Sequence, residues 1–447
     1  MELAGPGPTA PPGESPWLLP GGQLNALSAV LAEVRLGRAR SRPEIAEHTG
    51  LTRAVVVQRV TELLDRGILT EARDGPSTGG RPPRLLSFRG DAGLLLVADL
   101  GATSVDAAVT SLDGRVLRHI GEPADVAAGP DAVLGRVESL FAELLATTRS
   151  LPGRLWGIGI GLPGPVEFRS GTPISPPIMP GWDGYGVRAR LAARFGAPVW
   201  VDNDVNVLGL GEWRAGVASG HDNVIVVKIG TGIGAGIISD GRLHRGAQGA
   251  AGDVGHIQVS DDPGVVCRCG NVGCLEALAG GAAIARDGAA AARTGRSPRL
   301  QAVLDTRALV TAEDVALAAA HGDPVAVALL QAAGARIGSM LAAVVNFFNP
   351  SLIVIGGGVA QSGDRLLASI REAVYRRSLP LATRELRVVP SSLGARAGIV
   401  GAAVMVADEL FSRERLGATL TWSAGLGAGT IPEGAAPAVA GQAGAAR

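Results

Sequence analysis

Val224-Ile225-Val226-Val227-Lys228-Ile229 runs without a break into Gly230-Thr231-Gly232-Ile233-Gly234-Ala235-Gly236. A short apolar run rich in β-branched residues reads as a buried strand. A glycine-rich turn after it lets backbone N–H groups come close to a phosphate. Two other stretches repeat that transition. The run Leu94 to Leu100 ends in Asp99-Leu100-Gly101-Ala102-Thr103-Ser104, and a second strand, Val105 to Thr110, follows with Asp113-Gly114 as its exit turn. The run Leu352 to Ile355 ends in Gly356-Gly357-Gly358. Each of these alone can be an ordinary tight turn. Together they predict an α/β body with a nucleotide-type cleft, lined by Asp99, Gly101, Thr103, Gly230, Thr231, Gly232, Gly357 and Gly358, in which Asp99 can hold a hydrated Mg²⁺.

The chain has 447 residues, enough for two or three domains. Hydrophobic residues make up 47% of it but aromatic residues only 3%, so the core must be built from aliphatic side chains. A formal net charge of zero excludes a polybasic chain and leaves room only for a local basic patch. The positive charge is carried by arginine; Lys228 is the only lysine. Met1 to Gly22 is rich in Pro and Gly and lacks a basic start followed by an apolar run, so it reads as a disordered tail and not a signal peptide. No segment approaches the ~20 uninterrupted apolar residues of a membrane span, and no membrane partner is expected. The three cysteines sit at 267, 269 and 274, an odd number in one loop, which predicts a reducing, cytoplasmic setting. Composition divides the chain into a tail over 1–22, a helical segment with two strands over 23–90, a mixed α/β body over 91–416, and an Ala/Gly-rich tail over 417–447. No internal repeat of solenoid length is visible.

The segment over 23–90 reads as a winged helix-turn-helix. Leu24, Leu27, Leu31 and Val34 form one apolar stripe at helical spacing. Ser41 and Glu44 make an S-x-x-E capping box, and Thr49-Gly50 ends that second helix. A third helix begins near Thr52 and buries Val56, Val60 and Leu63; its other face starts with Arg53, Ala54, Val57 and Gln58. Arg can take guanine's two major-groove acceptors and Gln can pair with adenine. Between Gln23 and Arg89 there are eleven arginines against seven acidic residues, which supplies phosphate attraction. Ile68 to Glu71 and Leu85 to Phe88 read as wing strands around Gly79-Gly80-Arg81-Pro82-Pro83, with Arg81 placed to enter a minor groove. The alternative is a small helical bundle used for protein contacts.

Cys267-x-Cys269, with Cys274 five residues later and His256 upstream, offers four ligands of the types zinc prefers and leaves no open position, so the expected site is structural. The alternative is three reduced thiols without a metal. Around this loop the motifs become specific. G-T-G-I-G-A-G at Gly230, D-G-R-L-x-R-G-A, A-G-D-V-G-H ending at His256, and C-x-C-G-x-x-G-C-L-E from Cys267 to Glu276 resemble the signature of the ROK family of repressors, open reading frames and sugar kinases. Gly161-Leu162-Pro163-Gly164-Pro165-Val166 and Val201-Asp202-Asn203-Asp204 fall in the same order, and the preceding winged helix resembles the family's regulator branch.

That resemblance implies a two-lobed actin-like, hexokinase-type fold of the ribonuclease H-like class, with a sugar between the lobes. It implies that Asp204 stands at the position of the kinases' general base, where a carboxylate can accept a hydroxyl proton. It places Asn203, Asp253, His256, Glu276 and Gly164 at sugar-contacting positions. Two departures matter. The kinases carry D-x-G-G-T-K where this chain has D-L-G-A-T-S, so Ala102 adds a methyl and Ser104 removes a cation; and Asp253 stands where Glu is common. The expected function is a DNA-binding regulator, most simply a repressor, that responds to a sugar or sugar phosphate, binds a double-stranded operator as a homodimer or homotetramer, and uses Mg-ATP only if kinase activity is retained. The alternatives are an active sugar kinase with a DNA-binding domain and a ligand-silent scaffold.

Overall fold

The computed structural model of the protein describes residues 21–72, 84–148, 154–361 and 364–425. Arg81, the wing tip around it, and residues 1–20 and 426–447 of the tails expected over 1–22 and 417–447 lie outside the described residues. The described chain forms two compact units, one of residues up to Ala92 together with those from Asp408, and one of residues Gly93–Ala407.

The first unit contains helices α1 (Gly21–Arg35), α2 (Arg42–Thr49) and α3 (Arg53–Asp65), followed by antiparallel strands β1 (Leu69–Ala72) and β2 (Leu85–Phe88). Leu27, Val30 and Leu31 of α1, Ile45 of α2, and Val56, Val60 and Leu63 of α3 are completely buried. The capping box forms as read: the Glu44 N–H donates to Ser41 Oγ at 3.5 Å and the Ser41 N–H donates to the Glu44 carboxylate at 3.2 Å. Gly50 closes α2 in the left-handed region (φ +67°), and the Thr52 side chain caps α3. The Leu86 N–H donates to the Arg40 carbonyl at 2.7 Å, which fixes the wing strand to the entry of α2.

The second unit has two lobes built alike. In the first, β3 (Gly93–Leu100), β4 (Ser104–Ser111), β5 (Val116–Pro123), β6 (Arg154–Leu162) and β9 (Val199–Asn203) form a sheet of order β5-β4-β3-β6-β9. Helices α4 (Pro130–Thr147) and α5 (Val187–Phe195) bury Leu134, Val137, Phe141 and Leu191 against Leu96, Ala98, Ile158 and Ile160. The short ribbon β7 (Val166–Glu167) and β8 (Thr172–Pro173) lies between β6 and α5 in the chain. Helix α6 (Asp204–Ala215) then leads to the second lobe.

There β10 (Val224–Ile229), β11 (Ile233–Ser239), β12 (Arg242–Leu243), β13 (Leu352–Gly356) and β14 (Arg387–Pro390) form a sheet of order β12-β11-β10-β13-β14. Both sheets pair antiparallel through their first three strands and parallel through their last two. The lobes therefore repeat in topology although no sequence repeat announces it. Helices α7 (Leu275–Ala279), α8 (Gly281–Arg293), α9 (Pro298–Arg307), α10 (Ala312–Ala320), α11 (Pro324–Phe348), α12 (Gly358–Gln361), α13 (Asp364–Arg377) and α14 (Pro380–Thr383) complete this lobe. Helix α11 has 25 residues and is long and apolar enough to cross a membrane, although Gln331 and Arg336 interrupt its apolar run; Ile337, Leu341 and Val345 bury it in the lobe's core.

Helix α15 (Arg396–Leu410) runs across the division between the two units at Ala407. The tail expected from 417 is corrected. Leu416–Gly425 is helix α16, with Leu416 and Leu420 buried and the Thr419 hydroxyl donating to the Leu410 carbonyl at 2.8 Å. Two leucines four apart supply one apolar stripe, which the surrounding Ala and Gly conceal in composition.

The approach of α15 to α6 depends on Gly401, where an added Cβ would lie 1.5 Å from the Val207 carbonyl oxygen. Gly401→Ala must therefore push the helices apart, at a cost of about 1–3 kcal/mol for overpacking. We expect a lower urea midpoint with an unchanged m-value, followed by circular dichroism; an unchanged midpoint would show that the two helices yield freely.

Candidate functional site

The lobes' equivalent hairpins bring their turns to one cleft of about 320 Å³, lined by Gly101 to Ser104, Pro163 to Pro165, Asn203 to Val205, Lys228, Gly230 to Ala235, Gly249 to Asp253, His256, Arg268, Glu276, Glu313 and Gly358. The Gly101 N–H donates to the Ser104 carbonyl at 2.8 Å, and the Gly230 N–H to the Gly232 carbonyl at 3.0 Å. Gly357 has φ +94°, and an added Cβ there would lie 2.3 Å from the Ile229 carbonyl oxygen, so only glycine fits. Of the residues expected at the nucleotide end, Gly101, Thr103, Gly230, Thr231, Gly232 and Gly358 line the cleft, whereas Asp99 and Gly357 do not; Gly357 packs against the Ile229 carbonyl instead.

At the opposite side of the turns, β9 ends and α6 begins. Asn203 is the N-cap of α6: its Oδ1 accepts from the Val205 and Asn206 N–H groups at 2.9 and 3.4 Å, and its Nδ2 donates to the Gly164 carbonyl at 2.9 Å. The capping role is thereby filled, and Asp204 is left in the first turn with its carboxylate on the cleft. Lys228 Nζ donates to Asp204 Oδ2 at 2.7 Å, with the two side chains only 19% and 9% exposed. Burial works against the Lys228 charge, but Asp204 and Asp99 outweigh it and hold the ammonium protonated above the ordinary lysine range. Burial pushes the Asp99 carboxyl up to about 6; Lys228 opposes that rise, while Asp204 and Asp106 add to it. Asp99 Oδ1 is buried without a hydrogen-bond partner among the described residues.

Asp202, one residue before the Asn-Asp pair, is 1% exposed and fastens the lobes. It accepts from the Asn203 N–H, from Asn206 Nδ2 and, at 2.7 Å, from Arg245 Nε. The Arg245 guanidinium also lies 3.8 Å from the centroid of the Phe168 ring. Sequence reading passed over Asp202, Arg245 and Lys228. The available signals were the acid beside the motif, the Arg inside D-G-R-L-x-R-G-A, and a lone lysine in an otherwise apolar strand.

His256, Cys267, Cys269 and Cys274 meet as expected, with ligand atoms all within 4.8 Å of one another. The turn at Gly270 and the bridges Gln258 to Cys274 and Val266 to Val272 shape the loop. Cys269 Sγ and Cys274 Sγ are 3.8 Å apart, and Cys267 Sγ is 3.5 Å from His256 Nδ1. A tetrahedral cation with ~2.3 Å bonds to sulfur and ~2.0–2.1 Å bonds to nitrogen has edges of about 3.8 and 3.6 Å, so the donor set fits. Burial pushes the Cys274 thiol up to about 12, with Cys269 and Cys267 adding to the rise, so a cation is what allows all three to be thiolates at neutral pH. His256 Nε2 faces Asp253 at 3.9 Å, and burial raises the Asp253 carboxyl against the pull of His256. Cys274 precedes α7, whose Glu276 accepts from the Ile233 N–H at 3.1 Å, so the loop is built into the cleft wall.

In the first unit, Thr52, Arg53, Ala54, Val57 and Gln58 are all exposed on the first two turns of α3. Arg59 turns inward, 5% exposed, and pairs with Glu62 at 2.7 Å. Glu71 lies between Arg42 at 2.6 Å and Arg84 at 3.0 Å, and the Arg42 hydrogen bond holds its carboxyl below the usual range.

Two similar five-stranded lobes around a polar cleft, preceded in the chain by a unit of three helices and a two-stranded ribbon, define a sugar-kinase-like body with an N-terminal extension. The chain belongs to the ROK family, whose sequence model matches residues 96–409. It is 32% identical over 394 residues to the xylose repressor of Caldicellulosiruptor bescii, covering 87% of this chain and 97% of that protein. Among solved structures it is similar to a ROK family transcriptional regulator described as a homolog of the E. coli MLC protein, with a TM-score of 0.75, 29% identity, and coverage of 89% of this chain and 99% of that one. A ROK family glucokinase from Streptomyces griseus, solved with glucose and AMPPNP, gives a TM-score of 0.62 at 32% identity and covers 70% of this chain and 99% of that one. The fold is that of the family's regulators and hexokinase-type kinases.

Asp99 makes stability depend on pH. With a folded value of about 6 against ~3.9 when unfolded, its contribution is present below pH ~4 and lost as pH rises through 6. Asp99→Asn should therefore raise Tm over wild type at pH 7.5 and change it little at about pH 3.5. Equal differences at the two pH values would show that Asp99 is not desolvated.

Proposed function

We propose that this protein is a sugar-responsive, DNA-binding transcriptional repressor. The observation that carries the reading is the extent of the similarity. The repressor relative is matched over 97% of its length and 87% of this chain, whereas the glucokinase structure matches 70% of this chain. The additional length is the reader, whose exposed α3 face offers Arg53 and Gln58 to base edges, with Thr52 at its start for the backbone and Arg81, by its place in the sequence, for the minor groove. Paired half-sites require two readers, so the acting species is a homodimer or homotetramer in the cytoplasm on a double-stranded operator. The sugar lies in the cleft, with the free oxygen of Asp204 and the polar groups of Asp253, His256 and Glu276 meeting its hydroxyls near Gly164. Asn203 takes part by holding the start of α6, since its amide is committed within the protein.

The ion in the His256, Cys267, Cys269 and Cys274 cluster is structural zinc. It supplies folding free energy and sets both Asp253 and Glu276 along the cleft. Retention of Asp204 on the cleft also supports the second reading, an ATP-dependent sugar kinase carrying a reader; sugar-dependent ADP release would establish that activity.

The test begins with genome-wide mapping of bound DNA and then measures operator affinity by fluorescence anisotropy at fixed salt. Arg53→Ala should weaken specific binding about five- to 150-fold, as loss of a ~1–3 kcal/mol guanine contact requires. At least one sugar of a panel should weaken wild-type operator binding; if none does, the sensing role falls.

Cys269→Ser should lower zinc below one ion per chain by elemental analysis and shift the sugar dose curve to higher concentration. Wild-type protein free of zinc after purification without chelators would refute the metal assignment.

A further inference from the structure

A ROK-type kinase cleft uses a metal-bound nucleotide, and the residues present here do not fit one. Resting on the reading of this cleft as a sugar sensor, we propose that Lys228 is an internal cation standing where such a cleft holds its metal, so that the cleft takes an uncharged sugar without Mg²⁺ or nucleotide.

The ammonium of Lys228 comes from the strand before the second glycine turn and reaches Asp204 at 2.7 Å. It faces Asp99 and Asp106 of the first lobe as well, whose strands pair residue against residue at those two positions. A carboxylate cluster between two phosphate-type turns is what a hydrated divalent ion needs. Here a fixed single charge from the protein itself occupies that cluster, and it is held protonated. A bound metal ion would have to displace it and leave an ammonium buried without its partner, which is strongly unfavourable.

The turns themselves are also answered by acids. The Ile233 N–H of the second turn is taken by Glu276 at 3.1 Å. Glu313 Oε1 stands 3.0 Å from where a Cβ of Gly358 would lie, at the third turn. Near the first turn Asp99 is buried, and Ser104 offers no charge. Phosphate oxygens at these turns would meet carboxylates, and Lys228, the cation in the strand that feeds them, is already paired with Asp204; Arg268 also lines the cleft, but on the cysteine loop. A sugar hydroxyl has no such conflict: it can donate to Asp204 while Lys228 stays in place.

Lys228 is the chain's only lysine, so amine acylation read by mass spectrometry reports on it and the N-terminus alone. In wild-type protein, millimolar Mg-ATP should leave the Lys228 acylation rate unchanged; a severalfold rise would mean that metal displaces the ammonium, and would overturn the proposal. By calorimetry, a neutral pentose or hexose that releases operator DNA should bind equally in EDTA and in Mg-ATP, and its phosphate ester should bind at least about tenfold more weakly, since like charges would be brought together. Lys228→Met should acquire a Mg²⁺-dependent rise in Tm, against an ionic-strength control, that wild type lacks. If that variant does not fold, the acylation and calorimetry of wild type still decide. Effector release that requires Mg-ATP or a sugar phosphate would overturn the role of Lys228 and leave the repressor standing. Release by no compound would remove the repressor reading, while the acylation result would still judge Lys228.

Discussion

A charge removed from water has to be compensated within the protein, and the cleft is organised around one such compensation. Lys228 and Asp204 are both largely buried, and neither could be there alone. Their contact joins the strand of one glycine turn to the first turn of α6, and that helix can start there only because Asn203 caps it. The same local geometry keeps Asp204 Oδ2 engaged by Lys228 in a residue that lines the cleft. Asp99, deeper and without a hydrogen-bond partner for Oδ1 among the described residues, completes the charge cluster at the expense of an upward-shifted carboxyl.

The metal loop is a second constraint, and it acts on the same space from the opposite wall. Three thiols and an imidazole at tetrahedral spacing need an ion to bring them to their ligating forms. Once held, the loop fixes His256, whose outer nitrogen faces Asp253, and Cys274, which opens the short helix carrying Glu276. On the proposed reading, loss of the ion would therefore disturb groups that line the cleft directly. The donor cluster and the cleft wall are one piece of architecture.

Much of this was legible in the sequence because the relevant interactions are local. The capping box of Ser41 and Glu44, the Thr52 cap, the strands before the glycine turns and the cysteine spacing are all decided within a few residues. What escaped reading depends on contacts between distant segments. Lys228 is 24 residues from Asp204, and Arg245 is 43 from Asp202. The duplication of the two lobes is one of strand pairing, which different side chains satisfy equally well. Helix α16 was hidden because Leu416 and Leu420 are the only apolar stripe in a stretch whose composition resembles a tail. Helix α11 was missed as a long apolar helix because Gln331 and Arg336 interrupt the run without changing its average.

On the proposed reading, these contacts account for an architecture that keeps sugar recognition while giving up the requirement for a nucleotide. A kinase needs its carboxylate to accept a proton and its phosphate turns to accept polyphosphate. A receptor needs only acceptors and donors at the positions of the sugar hydroxyls, because each hydroxyl that goes unpaired penalises the wrong ligand. Lys228 occupies one oxygen of Asp204 and leaves the other as an acceptor, and Glu276 takes up a turn N–H that a phosphate would otherwise claim. Both arrangements preserve what recognition requires and withdraw what phosphoryl transfer requires. Ala102 and Ser104 at the first turn act in the same direction, one by added bulk and the other by a missing charge. On that reading Ala102 and Ser104 at the first turn, Lys228 in β10 and Glu276 in α7 shift the balance of the cleft from transfer towards sensing, while the fold stays that of the family's kinases.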